Sequence, residues 1–258
     1  MEGLKPFVWI QVRNFISVIM IRIENFGGMY MKIYCMSDIH ACLEAFEAAL
    51  ENVICHLDED YTMLLLLGDY VHGGDSGRGV LDKIMYLQEQ YGNDKVMVLM
   101  GNHEDMVIGG ESTIDSMYGG MQWYDNENAD DLYISWLNSL PRYYTEGNTI
   151  FVHAGIDETV GDMWEWETSD DIYTSKYPAE TGRIEGLDMK VVAGHVYTSE
   201  ISGDSSFNDI YYDGENHIYI DGDVLSTGVI PVLMVDTDTD CYYRITDGGC
   251  WLLTKYEE

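Results

Sequence analysis

Five times along this chain a short apolar run breaks off at Gly, Asp or His. KIYCM (32–36) runs into SDIH (37–40), TMLLLL (62–67) into GDYVHGG (68–74), and KVMVLM (95–100) into GNHE (101–104). TIFV (149–152) then runs into HAG (153–155), and KVVA (190–193) into GH (194–195). Runs this short, uninterrupted and bounded by polar or glycine residues read as buried strands. In an open α/β sheet the carboxyl ends of neighbouring strands converge on one crevice, so residues far apart in sequence meet there if each sits just past its strand. The breaks supply Asp38, His40, Asp69, Asn102, His153 and His195. These oxygen and imidazole donors suit two divalent cations bound side by side.

The segments between the runs have helical periodicity. ACLEAFEAALENVI (41–54) puts Leu43, Phe46, Leu50, Val53 and Ile54 on one helical face. RGVLDKIMYLQEQYG (78–92) does the same with Val80, Leu81, Ile84, Met85 and Leu87, and stops at Gly92. The first half is therefore a βαβαβ unit with parallel strands and right-handed crossovers. The second half is strand-rich, continuing through HIYID (217–221), VLMVDTD (232–238) and CYYRITD (241–247).

A chain of 258 residues with 46% hydrophobic content suits one large domain, expected over residues 31–258. Residues 1–30 do not fit it. PFVWIQVRNFISVIMIRI (6–23) is broken by Gln11, Arg13 and Asn14, too polar and short for a membrane span, and it lacks a small-residue cleavage site. Translation is expected to start at Met29 or Met31, with an added strand or amphipathic surface segment as the alternative. The five cysteines are odd in number and lack a CxxC pair, which argues against a disulfide framework or structural zinc and points to a reducing cytoplasm. With 46 acidic against 13 basic residues, the net charge of −33 repels nucleic acid, and neither nucleic acid nor a membrane is an expected partner. Two bound dications would reverse that sign locally and admit a phosphate.

Taken together, SDIH, GDYVHGG, GNHE, HAG and GH resemble the phosphoprotein-phosphatase branch of the calcineurin-like metallophosphoesterases, particularly bacterial serine/threonine phosphatases, over residues 31–236 or so. HIYIDGDV (217–224) with Gly228 resembles that family's strand after the last metal histidine. The resemblance implies a two-sheet αββα sandwich, a second sheet that periodicity alone does not supply. It implies Asp38 and His40 on one cation, Asn102, His153 and His195 on the other, and Asp69 bridging both. The implied cofactors are two divalent metal ions, Mn2+ first, with Fe, Zn, Ni or Co as alternatives. The paired charge makes hydroxide near neutral pH for in-line attack on phosphorus, and His103 protonates the departing alkoxide. Asn102 is also expected to contact the substrate, and Gly101 and Gly194 to allow close backbone approach.

Departures from that family pattern bear on the substrate. Where the family reads GDxVDRG, this chain has His72 and Gly73. The family's Asp orients the general-acid histidine and its Arg clamps the phosphate through two hydrogen bonds. A histidine is not a fixed anion, and a glycine cannot clamp. DMWEWETSD (162–170) also lacks the second phosphate-binding Arg of relatives. Arg78, Arg142 and Arg183 are candidate substitutes, and Gly73→Arg is expected to lower KM if the loop has room for it. The reading that follows is a phosphomonoesterase of protein-phosphatase type, acting on a phosphoprotein or small phosphoester held mainly by the metals. The alternatives are a phosphoanhydride or phosphodiester hydrolase resembling the symmetrical dinucleoside tetraphosphatases, and a non-catalytic metal-binding relative. His56, His217 and the Trp164/Trp166 pair read as structural.

Overall fold

The computed structural model describes residues 31–115 and 127–257, so the expected N-terminal extension lies outside the described residues. The chain begins with β1 (Lys32–Met36), α1 (Leu43–Glu51), β2 (Thr62–Leu66), α2 (Gly77–Tyr91), β3 (Val96–Val98), α3 (Asn102–Ile108) and α4 (Glu127–Leu137). It continues with β4 (Tyr143–Glu146), β5 (Thr149–Val152), α5 (Trp164–Glu167), α6 (Asp170–Ser175), β6 (Lys190–Ala193) and α7 (Thr198–Ser202). The last elements are β7 (Tyr211–Tyr212), β8 (His217–Tyr219), α8 (Val224–Thr227), β9 (Val232–Asp236), β10 (Cys241–Thr246) and β11 (Gly249–Leu252).

Among the described residues two sheets form, one ordered β11-β10-β9-β1-β2-β3 and the other β4-β5-β6-β8-β7. β1, β2 and β3 are mutually parallel, as are β5, β6 and β8, while the flanking strands run antiparallel. Strand alternation sorts the apolar side chains into layers. Ile33, Cys35, Met63 and Leu65 of the first sheet meet Phe151, Val192 and Ile218 of the second in a shared core. Their neighbours Tyr34, Met36, Leu64 and Leu66 face outward onto Phe46 and Leu50 of α1 and Val80, Leu81 and Ile84 of α2. Ile150, Val152 and Val191 of the second sheet face Trp164 and Tyr173 of α5 and α6. Helix, sheet, sheet and helix thus stack as an αββα sandwich, each fully buried Leu or Ile contributing roughly 1.5–3 kcal/mol.

The expected helices form with shifted ends. α1 stops at Glu51 and leaves Ile54, expected on its apolar face, in a separate helical turn and 36% exposed. Gly92 ends α2 as expected, with φ +92, but Met85 is only half-buried. Trp164 packs edge-on against Tyr143, whereas Trp166 is 72% exposed and packs no core. The five cysteines are unpaired. Among the described residues no helix is long and apolar enough to cross a membrane.

Candidate metal centre

Each expected donor lies just past the carboxyl end of a parallel strand: Asp38 and His40 after β1, Asp69 after β2, Asn102 after β3, His153 after β5 and His195 after β6. Asp38, His40, Asp69 and His195 all have left-handed backbone, with φ between 48 and 67. Such conformations cost about 1–3 kcal/mol each and persist only where the surroundings over-determine them. Here the N–H of Asp38 donates to the Gly68 carbonyl (3.1 Å), that of His40 to Asp69 (2.9 Å) and that of Gly194 to His153 (2.8 Å). Fully buried Glu104 ties two loops together by accepting the N–H groups of Asp69 (2.8 Å), Tyr70 (2.8 Å), Val71 (3.3 Å) and Gly101 (3.1 Å). Gly194 is required sterically, because a Cβ there would run into the Asp38 carboxylate and Ser37.

All six donors come together with His103. Asp69 Oδ2 lies 3.8 Å from His40 Nε2, 3.8 Å from His103 Nε2 and 3.4 Å from His153 Nε2. His40 Nε2 is 3.9 Å from Asp38 Oδ1, and His153 Nε2 is 3.0 Å from Asn102 Oδ1. Among the described residues two groups could hold a metal ion, His40–Asp69–His103 and Asp69–His153–His195, and Asp69 belongs to both. His103, expected only as a proton donor, therefore also stands among the candidate ligands. Asp38 instead accepts the backbone N–H of His195 on both oxygens (3.2 and 3.0 Å).

The donor set fits divalent cations. Donors sharing an ion at bond lengths of about 2.1 Å stand roughly 3–4 Å apart, close to the spacing found here. His40 Nδ1 and His153 Nδ1 are buried without a hydrogen-bond partner. Burial raises the Asp69 carboxyl, but His153, His103 and His40 outweigh it and hold the group well below the usual carboxylate range. Burial lowers His153, yet Asp69 outweighs it and holds the imidazolium up to about 9. Protons held this way are the ones a cation displaces on binding. Burial, then the neighbouring His153, lowers His195, and burial also lowers His103.

The donors open into a pocket of about 270 Å³, also lined by His72, Gly73, Tyr197, Asp221 and Leu225 and, among the described residues, by no Lys or Arg. The three candidate clamps are engaged elsewhere. Arg78 pairs with Asp115, Arg142 forks onto Asp105 (2.8 and 3.1 Å), and Arg183 pairs with Asp188 (3.1 Å). The room expected for Gly73→Arg is lacking, since Gly73 has φ +96 and a Cβ there would lie 2.7 Å from Leu225 Cδ1. His72 Nδ1 stands 2.9 Å from His103 Nδ1, so the histidine does occupy the orienting position after all. Sequence reasoning missed Glu104, although it lies inside GNHE, and Asp221, which lines the pocket and follows β8.

The profile of the calcineurin-like phosphoesterase family matches residues 31–224, and the chain belongs to that family. The family implies divalent metal ions, for which the two donor groups are candidate sites. It is 29% identical over 129 residues to a symmetrical bis(5'-nucleosyl)-tetraphosphatase of Nitrosospira multiformis, covering 49% of this chain and 44% of that protein. The chain spans about half the length of the curated relatives it matches. A cold-active protein-tyrosine phosphatase of a psychrophilic Shewanella shares the fold at TM-score 0.61 and 17% identity, covering 87% of this chain and 80% of that one. So does a protein serine/threonine phosphatase of Saccharomyces cerevisiae, at TM-score 0.57 and 13% identity over 88% and 81%.

Proposed function

We propose that the chain hydrolyses phosphomonoesters, of phosphoprotein or small-molecule type, at a dinuclear metal centre. The carrying observation is Asp69 Oδ2, which faces His40 and His103 in one donor group and His153 in the other, all within 3.8 Å. In this reading Asp38, His40 and Asp69 hold one cation, and Asp69, Asn102, His153 and His195 the other. The mix of oxygen and imidazole suits Mn2+, as it suits Fe, Zn, Ni or Co. Two such cations, when bound, supply water acidified enough to attack phosphorus and neutralise charge on the phosphoryl oxygens.

The chain's own residues do the rest. Asp69, held ionised, offers a carboxylate to both donor groups. Asn102 presents its amide to a phosphoryl oxygen, and His103 Nε2, facing the pocket, gives a proton to the departing alkoxide. With no Lys or Arg among the described residues that line the pocket, the substrate phosphate is held mainly by the cations. That favours a monoester over a more highly charged polyphosphate. The five unpaired cysteines support a cytoplasmic setting.

A second reading, hydrolysis of dinucleoside polyphosphates, is favoured by the name of the Nitrosospira relative. The test is kcat/KM of the Mn2+-loaded protein on an aryl phosphate, a phosphopeptide and diadenosine tetraphosphate. Preference for either monoester supports the first reading. Cleavage of the tetraphosphate alone transfers support to the second, and no turnover by fully loaded protein would make the chain a non-catalytic metal binder.

A further inference from the structure

The strands that carry donors deliver them one to four residues past their ends, as with Asp38 after β1, Asp69 after β2, Asn102 after β3, His153 after β5 and His195 after β6. β8 repeats the pattern. It pairs in parallel with β6, Ala193 opposite Tyr219, and the Ile220 N–H donates to the Ala193 carbonyl at 2.8 Å. Asp221 therefore leaves its strand in step with His195, two residues beyond the last pair. The sequence rhythm is the same one, an apolar run broken by Asp in IYID (218–221).

Asp221 is 1% exposed and lines the same pocket as His40, Asp69 and His195. Its Oδ1 accepts the Asp223 N–H at 2.9 Å, which fixes the carboxylate through a tight local turn. Its Oδ2 is buried and has no hydrogen-bond partner. The strongest charge acting on it is the Asp38 carboxylate, with Asp69 beyond and His153 offsetting part of the field. A buried carboxyl in the field of two others stays ionised only if positive charge comes to it and otherwise takes up a proton, and among the described residues no Lys or Arg lines this pocket.

We propose that Asp221 is a further donor of the dinuclear centre, its free Oδ2 serving the cation held by Asp38 and His40. The inference rests on the metal-site reading above. It separates from a merely structural role because Asp221→Asn keeps an oxygen to accept the Asp223 N–H and puts an amide NH2, which cannot hold a cation, in place of Oδ2.

The experiment titrates metal-free wild type, Asp221→Asn and Asp69→Asn with Mn2+ by calorimetry, with thermal unfolding measured with and without the metal. The expected result is one Mn2+ binding Asp221→Asn as in wild type and the other at least about tenfold more weakly. The Mn2+-induced rise in Tm should be smaller in the variant than in wild type. Two wild-type affinities in Asp221→Asn would overturn the proposal alone, whereas wild type binding no better than Asp69→Asn would overturn the metal-site reading beneath it. If metal-free Asp221→Asn does not fold, Asp221→Ser takes its place, and two wild-type affinities there would equally overturn the proposal.

Discussion

His72 Nδ1 lies 2.9 Å from His103 Nδ1, and the surroundings fix which ring carries the shared proton. His72 Nε2 is 2.9 Å from the Thr113 carbonyl, which can only accept, so Nε2 is the protonated nitrogen. Burial, then the neighbouring His103, pushes His72 down to about 4, leaving a neutral ring whose Nδ1 accepts from His103 Nδ1–H. The orientation an aspartate would impose is thus kept, and its negative charge is lost.

A pH consequence follows from that substitution. His103 must be protonated to act as an acid, and burial holds it below its ordinary 6.5. kcat/KM should therefore fall as pH rises through a value below 6.5. His72→Asp restores an anion beside the imidazolium and should move that limb upward by about one pH unit or more. A pH–rate profile with an unmoved limb would refute the arrangement.

Asp69 belongs to both donor groups, so Asp69→Asn should weaken both metal equivalents, while His40→Ala should weaken mainly one. Losses of about tenfold or more in affinity are expected, read as metal content per chain after dialysis against a chelator. Full loading of Asp69→Asn would contradict the shared role.

Because His103 stands in a donor group as well as facing the pocket, His103→Asn distinguishes its two possible duties. As a proton donor it should lose about 10²–10⁴-fold in turnover on an alkyl phosphate, lose far less on an aryl phosphate with a good leaving group, and keep both metals. Loss of one metal equivalent would make it a ligand instead.

The donors were legible in the sequence because buried parallel strands must be short unbroken apolar runs, and the topology sends their carboxyl ends to one crevice. The edges of the same sheets were not. YYTE of β4 is partly exposed and GCWL of β11 wholly so, and neither has the alternation that marks a half-buried strand. The role of His72 depended on Thr113, 41 residues away, and that of Glu104 on backbone amides supplied by another loop. Such partners exist only after folding.

Glu104 shows what that hidden support is worth. Its carboxylate accepts four buried backbone N–H groups, and Glu104→Gln leaves only one oxygen to accept while bringing in two donors without partners. The expected cost is about 2–3 kcal/mol, measured by denaturant unfolding of the metal-free protein, with activity falling as the left-handed turn at Asp69 loosens. A change within a few tenths of a kcal/mol would show that the loops hold themselves.

His217, away from the metal centre, contributes stability that is lost at alkaline pH. It is buried, with Nδ1 2.9 Å from Asp213 and Nε2 3.1 Å from Glu158, while Lys176 pairs with Glu158 at 2.6 Å. Burial lowers the imidazolium, but the two carboxylates outweigh it and raise it from 6.5 to about 9. A group raised in the folded state stabilises fully below its unfolded value and loses that contribution as pH climbs through the folded one, so the window is 6.5 to about 9. Glu158 has the opposite sign. Burial raises it, His217 and Lys176 outweigh that, and its folded value falls to about 2, so its contribution holds above 4.5 and fades as pH drops toward about 2. The excess of wild-type over His217→Gln stability should be larger below pH 6.5 than at alkaline pH by on the order of 3 kcal/mol. The difference should shrink steadily to its alkaline floor near pH 9. Comparing the two chains cancels the similar contribution of His153, and a difference that stays constant with pH would show that His217 is held as a neutral ring.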